Sequence, residues 1–259
     1  MNPSLASEVL DPMFRRVQRS GRSPSRVLAT APSDASDAER ANLIQAIHGA
    51  SGGAVYIVPK PLAAAIGAGA DVGSDELCMV MDIGEGVADC ALLAEGCLLA
   101  SAAVRGGCAA FRAEVRLTIS RETGLDVPDD ECNRLLQHVG LPNGAGGMIL
   151  ALALSEGHHF PHKHALPREL IAKAIERGVE TTLAPLASFA RNFDAVTLAA
   201  LDERPVYLTG GGALIPGISE RVERLLGLKV RTASAPHHAV IRGASAMLEV
   251  ADLAGVWTE

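Results

Sequence analysis

The sequence predicts an α/β protein with a partly parallel sheet, and three observations carry that prediction. Apolar strand-like runs alternate with helix-like stretches as far as Gly67. Two apolar runs flank a glycine-rich turn at Asp82–Gly86. The alternation then returns after Val206, past a triple glycine. Parallel strands need helical crossovers, so this order favours helices layered on a sheet.

Taken in order, residues 6–18 place Val9, Leu10, Met13, Phe14 and Val17 near one helical face. A polar loop, SGRSPS at 20–25, leads to a strand at 26–30 (RVLAT). Residues 34–39 offer several helix caps ahead of Ala41, Leu43, Ile44 and Ile47. A second strand follows at 54–58 and a compact apolar helix at 61–67. The segments 77–81 and 87–94 read as a hairpin, 98–104 as a further strand and 109–123 as a helix. Residues 124–166 change character, with acidic, glycine-rich, apolar and histidine-rich stretches in turn, and suggest a small inserted subdomain. A long helix begins near Pro167, and Pro185 is expected to kink or end its first section. Strands at 206–208 and 229–231 and helices at 218–226 and 239–251 complete the chain.

Composition narrows the function classes. The 259 residues are 48% hydrophobic and 20% charged, which excludes a disordered chain. With 23 Lys+Arg against 30 Asp+Glu, the net charge of −7 speaks against a broad nucleic-acid surface. No apolar run reaches the roughly 18 residues of a membrane span, and no signal peptide opens the sequence. Five cysteines, an odd number without a C-x-x-C pair, suit reduced thiols in the cytoplasm.

Three segments could carry chemistry. In MDIGEGVAD (81–89), Gly84, Glu85 and Gly86 form a turn whose N–H groups suit a phosphate, and Asp82 could hold the water shell of a magnesium ion. The same motif also describes an ordinary tight turn. In VYLTGGGALIPGI (206–218), Gly210, Gly211 and Gly212 join a strand to a helix start, through a need for either nucleotide approach or close packing. In VPKPLAAAIG (58–67), Lys60 stands at the rim of a small-residue helix, placed to contact an anion or to reach solvent. Apart from these, His158, His159, His162 and His164 offer a zinc- or nickel-binding set or simply a polar turn. Arg105, Arg112 and Arg116 read as a solvated face.

Together the three segments, in this order, resemble the actin-like ATPases, and most closely the bacterial MreB cell-shape filament proteins. DIGEG at Asp82–Gly86 matches the second phosphate loop, LTGGGALIPGI at Leu208–Ile218 the adenosine motif, and PLAAAIG at Pro61–Gly67 the connecting helix. PHHAVIRGA at Pro236–Ala244 resembles the last helix. The resemblance implies an actin-like (ribonuclease H-like) fold without the N-terminal region that bears the first phosphate loop. It divides the chain into a first-subdomain remnant (1–75), a second subdomain (76–123 and 167–259) and the insertion (124–166). ATP and magnesium are the implied cofactors, with Asp82, Gly84, Glu85, Gly86, Gly210, Gly211 and Gly212 as nucleotide-binding residues and Asp82 toward the metal.

Departures from the family pattern shape the functional expectation. Lys60 stands where the family carries a glutamate that positions or activates water, and an ammonium cannot accept a proton. The second loop lacks the family's two threonines, and a Gly-Asp pair has become Gly106-Gly107. The polar 20–25 loop speaks against direct membrane insertion. A cell-shape protein follows, cytoplasmic or held at the inner membrane face through partners, with weakened nucleotide binding and lost hydrolysis. Its expected partners are copies of itself, a full-length actin-like protein, or cell-shape and membrane-associated proteins. The alternatives are a pseudo-ATPase module that caps or regulates a full-length relative, and a chaperone-like ATPase of the same superfamily.

Overall fold

A computed structural model describes residues 2–17, 24–142, 149–154 and 162–249. In chain order the elements are α1 (Pro3–Val17), β1 (Arg26–Ala31), α2 (Asp37–Ser51), β2 (Ala54–Pro59), α3 (Lys60–Ala68), β3 (Cys78–Ile83), β4 (Val87–Ala94) and β5 (Cys97–Arg105). There follow α4 (Gly107–Thr123), α5 (Asp129–Val139), β6 (Ile149–Leu154), β7 (His162–Pro167), α6 (Arg168–Arg191) and α7 (Ala195–Asp202). The last elements are β8 (Val206–Thr209), α8 (Ile218–Leu226), β9 (Val230–Thr232) and α9 (Ala239–Glu249).

The central sheet has the order β5-β4-β3-β8-β9. An antiparallel meander, β3 to β5, continues into β8 and β9, each parallel to its inner neighbour. Strands β1 and β2 pair in parallel, and β6 and β7 form an antiparallel hairpin. Every residue of β3 is buried, because helices cover both sheet faces. The period of two sorts its side chains. Met79, Met81 and Ile83 join Cys90 and Leu92 of β4 against Phe111, Ile171 and Ile175 of α4 and α6. Cys78 and Val80 join Ala91 and Leu93 against Leu62, Ala63 and Met247 of α3 and α9. Asp82 and Asp89 share the alternation of this second set, and so project on the α3 side of the sheet.

Helices α3 and α9 cross at two glycines. A Cβ on Gly67 would lie 1.7 Å from the Ala239 carbonyl oxygen, and one on Gly243 would lie 1.8 Å from that of Ala63. Only glycine permits so close an approach. The start of α2 is set by a capping box: Ser36 accepts from the Glu39 amide, and the Glu39 carboxylate accepts from that of Ser36.

Several expectations need correction. Helix α6 does not end at Pro185 but continues to Arg191, its buried face of Leu183, Leu186, Ala187 and Ala190 holding both halves on one core. Tertiary burial outweighs the single lost backbone hydrogen bond. The acidic stretch near residue 129 is the first turn of α5, where three carboxylates face the positive helix end. Residues 195–202 form α7, capped by Asp194, which periodicity over so short a segment did not reveal. His162 and His164 lie on strand β7, while His158 and His159 fall outside the described residues. All five cysteines are free thiols, and no described helix is long and apolar enough to cross a membrane.

Candidate functional site

The three glycine- and lysine-bearing segments converge at the carboxyl ends of β3 and β8, where ligands gather in α/β sheets. Parallel pairing sets Thr209 beside Asp82. Antiparallel pairing sets Asp82 directly opposite Asp89. Two carboxylates on neighbouring strands repel one another, and both are fully buried, at 1% and 0% exposure. Such a pair needs a cation, and Lys60 supplies it.

As the first residue of α3, Lys60 brings its Nζ to 2.7 Å from Asp82 Oδ2 and 3.0 Å from Asp89 Oδ2. A longer bond of 3.4 Å reaches the Val87 carbonyl. The ammonium thus hydrogen-bonds Asp89 and the Val87 carbonyl and forms an ion pair with Asp82. The remaining carboxylate oxygens are also engaged. Asp82 Oδ1 accepts from the Thr209 hydroxyl at 2.7 Å. Asp89 Oδ1 accepts from the amide and hydroxyl of Ser33, on the β1–α2 connection, at 3.0 and 2.9 Å. Asp82 Oδ2 has no hydrogen-bond partner, so its compensation is the ion pair with Lys60. Burial opposes the charge on Lys60, but the attraction of Asp82 and Asp89 outweighs it and raises its pKa above the ordinary value. The lysine, 17% exposed, closes a network linking α3, β3, β4 and β8 to Ser33.

The hairpin turn is tethered just as closely. A Cβ on Gly84 would sit 3.1 Å from Lys60 Nζ and 2.9 Å from the Val87 carbonyl, so glycine makes room for the ammonium. The carbonyls of Gly84 and Glu85 accept from the amides of Cys108 and Ala109, each at 3.0 Å. The turn's own oxygens therefore occupy donors of the α4 N-terminus. Gly107 allows this approach, since its Cβ would meet the Gly84 oxygen at 2.4 Å. Glu85 forms a two-pronged pair with Arg112, whose hydrogen bonds hold its carboxyl below the usual range. Arg112 is buried, not part of a solvated face, and it also reaches Asn133 and Asp129. Arg105, at the end of β5, pairs with Asp34 and Glu39 beside α2.

The triple glycine turns out to have mixed duties. Cβ atoms on Gly210 and Gly212 would strike the Ile83 carbonyl and side chain at 2.2 and 2.3 Å, so these two glycines serve packing against β3. Gly211 is exposed and an added Cβ there has no neighbour within 4 Å; the same holds at Gly86. At these two positions the backbone is exposed and uncrowded. Residues 211–214 form a 3₁₀ turn, and α8 begins only after Gly217. The helix expected at 218–226 is therefore found there, with the 3₁₀ turn between it and the glycines.

A magnesium ion does not fit the carboxylates as they stand. It demands octahedral oxygen ligands near 2.1 Å and keeps several waters. Asp82 and Asp89 are closed from solvent, their outward oxygens already hold an ammonium, and a second cation would be repelled at contact distance. Among the described residues, no group of three or more His, Cys, Asp or Glu could hold a metal. Sequence reading did not assign Asp89 or Ser33 a role.

The family model described as MreB/Mbl protein matches residues 2–255. The cell shape-determining protein MreB of Haemophilus influenzae is 28% identical over 238 residues, 90% of this chain and 68% of that protein. The cell shape-determining protein Mbl of Bacillus subtilis is 25% identical over 232 residues, 89% of this chain and 70% of that protein. Among solved structures, MreB5 of Spiroplasma citri bound to ADP superposes with a TM-score of 0.83 at 20% identity, covering 95% of this chain and 75% of that one. The MamK double helical filament gives 0.75 at 14% identity, with the same coverage. The fold is that of the actin-like ATPases.

Proposed function

Because the chain belongs to the MreB/Mbl family, we propose that it is an MreB-like protein of cell-shape determination that has lost ATP hydrolysis and binds nucleotide weakly. The observation that carries the reading is the Lys60–Asp82–Asp89 cluster. Phosphoryl transfer to water needs a group that accepts a proton or orients the nucleophile, together with charge stabilisation of the transferring phosphoryl group. An ammonium has no lone pair to offer, and this one is held in ion pairs with two buried carboxylates rather than turned to a phosphate. Weak nucleotide affinity follows from the same economy of contacts. The α4 amides are taken by the hairpin carbonyls, leaving open backbone at Gly86 and Gly211 as the phosphate- and nucleoside-facing positions. ATP is the ligand proposed on family grounds, since the related MreB5 was solved with ADP and with AMPPNP.

Self-association is the proposed mode of action, supported by the filament form of the structurally similar MamK. On this reading the protein works in the cytoplasm and reaches the inner membrane face through cell-shape partner proteins. The test combines sedimentation with calorimetry. The purified chain is expected to pellet as polymer equally with and without ATP, and to bind ATP only in the millimolar range. A micromolar Kd, or polymer that forms only when ATP is hydrolysed, would refute the reading.

A further inference from the structure

We propose that the Lys60 ammonium is a tethered counter-cation that replaces a divalent metal at the Asp82–Asp89 pair, so that this pair recruits no metal while the lysine is present. The inference rests on the family reading of the site and adds to it the means by which the metal is dispensed with.

Four observations support it. The hairpin register forces the two carboxylates opposite each other, whatever else binds nearby. Both are buried on the α3 side of the sheet, where a charge pair without compensation is untenable. Each of their four oxygens has a partner within 3.0 Å, and only the two turned toward Lys60 meet a positive charge. Finally, Gly84 leaves space for the ammonium: a Cβ there would crowd Nζ at 3.1 Å. The lysine enters from the first turn of α3, and Pro61 directly after it fixes the helix start. Its position is thus set by backbone geometry, and the positive charge is present at all times. A divalent ion would arrive only with its concentration, and with a nucleotide to share it.

The consequence is a site whose charge balance is complete before any ligand arrives. Removing the ammonium exposes the pair's demand for a cation, and a metal then answers it. Manganese is the probe, followed by electron paramagnetic resonance of the full chain, the Lys60→Ala variant and the Lys60→Ala/Asp82→Asn variant. The parent chain is expected to bind no manganese at this pair. Lys60→Ala is expected to bind one equivalent that the parent does not, and the added Asp82→Asn change to abolish it. Because Lys60→Ala loses a buried partner and can be unstable, thermal unfolding with manganese and with EDTA is read in parallel. Manganese should raise the melting point of the variant and leave the parent unchanged. Asp82-dependent manganese binding by the parent, or no gain in either readout for Lys60→Ala, would overturn the proposal.

A second arm separates this inference from the functional reading. ATP affinity of the parent should be the same in magnesium and in EDTA. Failure to bind ATP at all would count against the nucleotide part of the proposed function, while the manganese result still decides the role of the lysine.

Discussion

Replacing Lys60 with methionine removes the charge while keeping most of the side-chain volume, which isolates the electrostatic role of the residue. The change leaves Asp82 and Asp89, at 1% and 0% exposure, opposed across the β3–β4 ladder without a cation. Breaking one partner from a buried pair costs about 3–5 kcal/mol. The Lys60 side chain is only 17% exposed, so solvent relieves little of that cost. For a domain of this size the loss corresponds to a melting point lowered by about 6–20 °C. Circular dichroism melts in EDTA measure it, with metal excluded so that no ion takes the vacated place. A second variant, Lys60→Met/Asp82→Asn/Asp89→Asn, should recover most of the loss, because neutral groups no longer demand a counter-charge. A Lys60→Met melting point within about 2 °C of the parent, or a triple variant no better than the single one, would refute this electrostatic argument.

Four further outcomes are expected. Gly67→Ala places a Cβ 1.7 Å from the Ala239 carbonyl oxygen, an overlap with backbone that should cost about 3 kcal/mol and appear as a lower melting point. The raised pKa of Lys60 means that the folded state holds the proton more tightly than the unfolded chain. Its stabilisation is therefore complete below the ordinary value of 10.5 and fades as pH rises through the higher folded value; Lys60→Met should flatten that alkaline limb in a series of melts. Titration with a thiol reagent near neutral pH should modify exposed Cys97 quickly and the other four slowly until the chain unfolds, since burial pushes Cys78 and Cys108 up to about 11 and Cys90 up to about 12. Arg112→Ala releases the Glu85 tether, and exchange of the Cys108 and Ala109 amides should quicken roughly fivefold, the equivalent of about 1 kcal/mol for a partly exposed pair.

Much of the fold was legible because its signals are local. The apolar runs of β3 and β4 around a glycine-rich turn, the cap residues at 34–39, and the glycines between β8 and α8 all act within a few residues. The site was legible in part. Asp82, the hairpin glycines and the triple glycine were identifiable by type and order, and Lys60 stood out as a cation where the family pattern carries a carboxylate. Asp89 was within reach and was overlooked: a tight turn at residues 84–87 already places residue 89 opposite residue 82. Ser33 was not, since its bond to Asp89 spans 56 residues and depends on how β1 sits beside the central sheet. Arg112 looked like one cation among several on a helix until the packing of the hairpin onto α4 gave it Glu85. Pro185 shows the opposite limit, a local breaker overruled by the core beneath it.

The most direct single measurement is phosphate release by the full chain with ATP and magnesium, set beside the Asp82→Asn variant as a blank. With Lys60 closing the carboxylate pair, release from the two proteins should be indistinguishable over hours. Steady turnover by the parent that disappears in Asp82→Asn would show a working catalytic site, and would contradict the assignment of Lys60 as a fixed internal cation.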